Sequence, residues 1–152
     1  MPLTSQQLFK DISNTERPTL GTMLPVSVFR MLRIIALPDA LGESAGPMLY
    51  TAGKSIGSQL PVCSVDEFLT LIEGLKIGIP KVLEQSERKI TVQIDECTTC
   101  AGLPNVGQYV CNFEGGIVAG TLETLVEKKI KAKEIKCWAN GDGCCVFDCI
   151  VF

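Results

Sequence analysis

The sequence predicts an α+β fold: a helical N-terminal half packed on a small antiparallel sheet drawn from the C-terminal half, in a single domain. Three observations carry this expectation. Apolar residues recur near helical spacing in three segments between residues 25 and 78. Beyond residue 79 the texture changes to short alternating runs, clearest at Ile90, Val92 and Ile94. The chain has 152 residues, 46% hydrophobic and 20% charged, and no repeat or linker divides it. A chain of that size and composition buries a core without covalent help.

Taken in order, residues 1–24 form a polar N-terminal extension, with a short helix ahead of the loop at Pro18. The domain proper spans 25–152. PVSVFRMLRIIALPDALG (25–42) opens on Pro25, which suits a first helical turn, and Pro38 and Gly42 close it. SAGPMLYTAGKSIGSQL (44–60) is a second helix, whose Gly46, Gly53 and Gly57 permit close backbone approach. SVDEFLTLIEGLKIG (64–78) is a third, with Ser64 as N-cap and acids in the first turn. Residues 79–96 read as two strands around a turn at Gln85–Arg88, and 97–110 as a loop. Residues 111–129 read as a helix capped by Asn112, 130–138 as a strand, Asn140–Gly143 as a tight hairpin turn, and 144–152 as a last strand.

Composition excludes several functions. There is no histidine, so every Ser-His-Asp or Cys-His mechanism within this chain is excluded. The net charge of −3 argues against nucleic acid. Apolar runs are broken well short of the roughly 20 residues a membrane helix needs, and the polar N-terminus lacks a secretory h-region. A cytoplasmic setting is therefore expected, where disulfides rarely persist and eight cysteines point to metal or redox chemistry.

Cys137 precedes the Asn140–Gly143 turn, and Cys144 and Cys145 follow it. Adjacent strand residues face opposite ways, so only one of Cys144 and Cys145 can share a site with Cys137. Cys111, at a helix start whose dipole favours thiolate, supplies a third sulfur. A fourth donor is Glu134 or one of Cys97 and Cys100. Three thiolates and one further donor at tetrahedral geometry suit a structural zinc ion. Inert packing is the alternative for each thiol taken singly. Cys97-Thr-Thr-Cys100 is open to a second metal, a redox pair or packing, and Cys63 and Cys149 read as structural.

Several motifs together resemble the vinyl-4-reductase domain family: Cys111-x-Phe113-Glu114-x-Gly116, the small residues to Gly120, Glu134-x-x-Cys137, Gly141-Asp142, Cys145-x-Phe147 and, upstream, Leu49-Tyr50 with Gly53-Lys54-x-x-Gly57. The resemblance covers residues 25–152 and is strongest in the last third. It implies a ligand-binding fold similar to haem-based nitric-oxide sensors and to Golgi-transport subunits that hold an acyl chain. It also implies kinship with effector domains of aromatic-sensing activators and with a chlorophyll-biosynthesis accessory factor. In the phenol-type sensors three cysteines and a glutamate hold zinc, and the matching positions here are Cys111, Glu134, Cys137 and Cys145. Residues three apart on a straight strand face opposite ways, so this set requires a bulge or strand end near Ile135–Lys136.

The same resemblance places an apolar pocket between the N-terminal helices and the sheet, lined by Phe29, Leu32, Met48, Ala52, Ile56, Phe113 and Ile117. Gly53, Gly116 and Gly120 would either leave room for a ligand or let helices approach. The expected function is a zinc-stabilised binding domain for a hydrophobic small molecule, a homodimer acting as sensor or carrier through a downstream protein partner. The absence of histidine argues against a phenol ligand. The alternatives are an assembly scaffold and a redox enzyme or accessory for vinyl-group reduction on a tetrapyrrole. An enzyme is the less favoured, because no dinucleotide-binding GxGxxG follows a strand.

Overall fold

The computed structural model describes Thr4, Gln7, Phe9 and residues 11–152. Most of the short helix expected before Pro18 lies outside the described residues. Four strands form one antiparallel sheet: β1 (Ile79–Gln85), β2 (Lys89–Asp95), β3 (Ile130–Lys136) and β4 (Cys145–Val151), in the order β1-β2-β4-β3. Cross-strand partners share a face. Ile90, Val92 and Ile94 of β2 stand opposite Cys149, Phe147 and Cys145 of β4, and Ala132 and Glu134 of β3 stand opposite Cys149 and Phe147. Apart from half-buried Glu134, that face is buried. The other carries Thr91, whose hydroxyl donates to Asp148 at 2.8 Å, and exposed Lys131 and Lys133. Alternation along β2 and β4 gathers their large apolar side chains on one face, as the pattern at 90–94 predicted, and Thr91 and Val146 on the other are buried as well.

Helix α1 is α over Val26–Arg30, π over Met31–Ala36 and α again over Leu37–Leu41. Pro38 does not end it, contrary to expectation. The π segment places Pro38 in the first turn of the following α segment, where a missing N–H removes no helical bond. Gly42 closes the helix. Helix α2 spans Ala45–Gly57 and α3 spans Val65–Gly74. Ser64 caps α3 as expected, its hydroxyl accepting from the Glu67 N–H at 3.2 Å, while the Glu67 carboxylate accepts from the Cys63 N–H at 2.7 Å. The first satisfies an orphan donor of the first turn, and the second reaches one residue beyond the N–H that a capping box uses, tying the residue ahead of the cap. Buried Phe68 and Ile72 of α3 join the core.

Helix α4 (Asn112–Val126) is the centre of the molecule, with every residue from Glu114 to Leu122 buried. Its cap position is Cys111, not Asn112, and no side chain caps it. One side lies on the sheet, so close that a Cβ on Gly115 would stand 3.1 Å from the Phe147 ring. Another lies on α2, backbone against backbone. A Cβ on Gly53 would meet the Phe113 carbonyl oxygen at 2.1 Å, and one on Gly116 the Tyr50 carbonyl oxygen at 2.1 Å. These small residues serve helix approach, not ligand room. A helix covered on both sides needs no polar stripe, and α4 has none in its middle turns.

The upstream motif now has a structural role. Tyr50 Oη accepts from the Ala132 N–H at 3.0 Å, and Lys54 pairs with Glu123 at 2.8 Å. Glu123 also accepts from the Ile130 N–H at 3.0 Å, so α2, α4 and β3 are tied at one corner. No helix among the described residues is long and apolar enough to cross a membrane.

Candidate metal centre and adjoining cleft

The register of β3 against β4 decides where the acidic donor points. Glu134 pairs with Phe147, but the next pair is Lys136 with Val146, so Ile135 is an extra residue. This is the bulge that the Glu134-x-x-Cys137 spacing requires. The bulge brings Cys137, which follows Lys136, back to the face of Glu134 and Cys145. The result is one group, Cys111, Glu134, Cys137 and Cys145, whose ligand atoms all lie within 4.8 Å of one another. All three sulfurs are fully buried.

The loop between β3 and β4 is longer than the expected tight turn. Lys136 ends one strand, Trp138–Asn140 makes a 3-10 turn, and β4 begins at Cys145. The loop folds back on Cys137: its N–H donates to Asp142 Oδ2 at 2.9 Å, and its carbonyl accepts from the Asp142 N–H at 3.0 Å. Gly141 has φ of +87°, a conformation that favours glycine, and a Cβ there would stand 2.6 Å from Asn105 Nδ2, which would have to swing aside. Cys144 is half-buried outside the cluster, so the structure selects Cys145 of the adjacent pair.

Glu134 is held for coordination. Its Oε2 accepts from the Cys111 N–H at 3.1 Å, while Oε1 is buried with no partner. Burial, and then the neighbouring Cys137 sulfur, push its carboxyl up to about 9. A cation at the centre reverses that effect, because it stabilises the carboxylate and the thiolates together. The orphaned oxygen and three converging sulfurs can therefore hold a metal ion.

The expected thiolate at Cys111 is overridden. Without a cation, the Cys100 thiol first and then the other neighbouring thiols push Cys111 up, against the helix start. Hydrogen bonds from those thiols, Cys100 first, hold Cys137 and Cys97 down instead.

The remaining cysteines divide. Cys97 and Cys100 are fully buried against the same cluster. Cys149 is buried in the sheet core, and burial pushes its thiol up to about 12. Cys63 is exposed, which corrects its reading as a packing residue. It precedes the α3 cap, where the chain turns at the surface.

Beside the cluster lies an open cleft of about 1410 Å³. Phe29 and Leu32 of α1 line it, as do Phe113 and Ile117 of α4, and Leu75 and Cys97 border it. These include four of the seven expected pocket residues. Met48 and Ala52 are exposed on α2, and half-buried Ile56 packs on the core, so none of the three borders this cleft. The sequence offered no means of telling which face of α2 met α4. Sequence reading also missed Arg33, buried in the π segment of α1, which pairs with buried Glu114 at 3.1 Å. Its guanidinium sits 5.4 Å from the Phe113 ring centroid and 6.0 Å from that of Phe29. Glu114 also accepts from the Thr99 hydroxyl, within the Cys97–Cys100 loop. Burial first, then the Cys97 sulfur, raise its carboxyl to about 7 against the pull of Arg33.

The vinyl-4-reductase domain profile matches residues 90–150. The Methanocaldococcus jannaschii protein MJ0150 is 36% identical over 146 residues, covering 91% of this chain and 83% of its own length. Among solved structures, a vinyl-4-reductase family protein from the same organism superposes with a TM-score of 0.72 at 18% identity, covering 100% of this chain and 99% of that one. The phenol-responsive sensory domain of the transcription activator PoxR, solved with phenol, gives 0.64 at 17%, covering 84% and 75%. A trafficking protein particle complex subunit 3 from Naegleria fowleri, covalently bound to palmitic acid, gives 0.60 at 14%, covering 84% and 95%. At such identities the likeness is one of fold, and that fold is the helical N-terminal half on an antiparallel sheet expected from the sequence.

Proposed function

The chain belongs to the vinyl-4-reductase domain family, and we propose that it is a zinc-stabilised domain that binds a hydrophobic small molecule and relays its occupancy to a partner protein. One observation carries this reading. A single buried helix, α4, begins at the donor Cys111 and within its first two turns presents Phe113 and Ile117 to the cleft. Fixing the start of α4 by a metal fixes the floor of the binding site. The sensory-domain neighbour, which was solved with phenol, supports a small-molecule site in this fold. The α1 and α4 walls of the cleft are apolar at Phe29, Leu32, Phe113 and Ile117, while Arg17, Arg30, Lys76 and Glu96 also line it, which suits an occupant with an apolar body and a polar end.

Zinc fits the donor set. Three sulfurs and one carboxylate oxygen make a closed tetrahedral site with no position for water, so the ion's role is structural. Five clustered free thiols suit a reducing setting, which supports a cytoplasmic location. Native mass spectrometry of protein purified from its own cells tests the reading, together with displacement of an environment-sensitive apolar dye. Bound apolar mass and saturable dye binding, both lost in Ile117→Glu, are expected. Protein that carries no apolar molecule and does not bind dye saturably overturns it.

Val26, Val28, Met31, Leu32 and Ile35 are all exposed on α1. Apolar area of this extent on one helix marks a contact surface. It favours a homodimer through α1 and also serves the assembly-scaffold reading. Light scattering separates the two: a dimer that Met31→Glu dissociates supports the first, and a monomer supports the second.

A further inference from the structure

The geometry points to a second metal site, in which Cys97 and Cys100 bind an ion that shares the sulfurs of Cys111 and Cys145 with the first, making a thiolate-bridged two-metal centre. Two four-donor groups occur in this molecule, Cys97, Cys100, Cys111 and Cys145, and Cys111, Glu134, Cys137 and Cys145, each with all its ligand atoms within 4.8 Å. They are not alternatives drawn from separate places. Both contain Cys111 and Cys145, whose sulfurs are 3.5 Å apart. Six donors therefore describe two tetrahedra with a common edge.

The distances suit that description. Bonds of about 2.3 Å at tetrahedral angles place sulfurs about 3.8 Å apart around one zinc. Here Cys97 and Cys111 are 3.7 Å apart, while Cys100 and Cys145, at 3.0 Å, would part by about 0.8 Å to seat an ion. With a shared edge of 3.5 Å, bonds of about 2.3 Å put the two ions about 3 Å from each other. Five thiolates and one carboxylate carry six negative charges, and two divalent ions offset four of them. A lone ion in the first group would leave Cys97 and Cys100 as thiols held to a thiolate-rich site by weak S–H···S contacts alone. The gaps accommodate single ions and leave no space for a cluster that brings its own sulfide.

The Cys97–Cys100 loop is built as a ligand loop. Glu96 turns the chain out of β2 with φ of +50°, a left-handed conformation that is costly for a residue other than glycine. Arg30 Nε donates to the Thr98 carbonyl at 2.8 Å, and its Nη2 donates to the Ala101 carbonyl at 2.9 Å. The Thr98 N–H donates to the Ile77 carbonyl at 2.8 Å, and Thr99 is held by Glu114. Both sulfurs are thereby held inward with no exposure. Outer contacts of this kind orient metal ligands before the ion arrives.

This rests on the donor set proposed above and adds to it, and metal stoichiometry separates the two. Elemental analysis of protein purified under reducing conditions should find two divalent ions per chain. Cys97→Ser with Cys100→Ser should leave one, and Glu134→Gln with Cys137→Ser should also leave one. Wild-type protein provides a test that needs no variant. Titrated with cobalt(II), it should develop sulfur-to-metal charge-transfer absorption through two equivalents. Its paramagnetic resonance signal should rise to the first equivalent and fall by at least half at the second, because bridging sulfur couples the two spins. One ion per chain that survives Cys97→Ser overturns the second site and leaves the first intact. One ion that survives Glu134→Gln with Cys137→Ser but is lost in Cys97→Ser overturns both. Acid-labile sulfide, or a disulfide among these cysteines, overturns the two-metal centre.

Discussion

Replacing Gly116 by alanine tests the packing on which the site rests. The added Cβ would lie 2.1 Å from the Tyr50 carbonyl oxygen, 2.8 Å from the Lys54 nitrogen and 3.0 Å from the Gly53 Cα. Carbon–oxygen contacts of this kind normally begin near about 3.3 Å, so α2 and α4 must part by about 1.2 Å. All three neighbours are backbone atoms, and no rotamer change relieves the clash. Parting the helices also opens the seam at Gly53, Gly57 and Gly120, and a radial gap of that size forfeits about half of each contact's dispersion energy. Overpacking costs about 1–3 kcal/mol in general, and a rigid backbone clash belongs at the upper end or beyond. The better helix propensity of alanine offsets about 1 kcal/mol. A net loss of about 2 kcal/mol or more follows, or a Tm lower by at least about 4–8 °C for a chain of this size. Gly74→Ala is the control, since a Cβ there meets nothing within 4 Å, and it should change stability by no more than about 1 kcal/mol. Urea denaturation of the metal-loaded proteins, followed by circular dichroism, measures both. If Gly116→Ala matches Gly74→Ala, the two helices are not seated backbone to backbone.

Three further outcomes are expected. Chelation at neutral pH should lower the melting temperature by more than about 10 °C, since a structural ion's binding free energy is folding free energy; an unchanged melt after complete metal removal would reject that role. Glu123→Gln should cost about 1 kcal/mol or less at pH 7, because the Lys54 pair is partly exposed and screened. The Lys54 contact first, then the Ile130 N–H, lower the Glu123 carboxyl below its ordinary value. Its stabilisation is therefore present above the unfolded pKa and lost as pH falls through the folded one, so variant and parent should converge in acid unfolding curves. Alkylation at pH 8 should label exposed Cys63 first, then half-buried Cys144, and spare Cys149. With its thiol at about 12, Cys149 is only about one part in ten thousand thiolate at that pH. Early labelling of Cys149 in mass-spectrometric mapping would contradict its place in the core.

Much of this protein was legible where the signal is local. Ser64 announced α3 because a cap and its first turn are neighbours in sequence, and Ile90, Val92 and Ile94 announced β2 because alternation is the strand's own period. Exclusion of histidine chemistry followed from composition alone. Only the tertiary structure decided the rest. Pro38 continues α1 because a π segment resets the hydrogen-bond register before it. Glu134 and Cys137 share a face because pairing with β4 extrudes Ile135, and register belongs to two strands together. Cys97 and Cys100 join Cys111 and Cys145 because a loop, a helix start and a strand converge, and no spacing within any one of them encodes that meeting. Periodicity and capping are short-range consequences of backbone geometry, so one segment displays them. Donor convergence is a property of surfaces distant in sequence that meet only when the core closes.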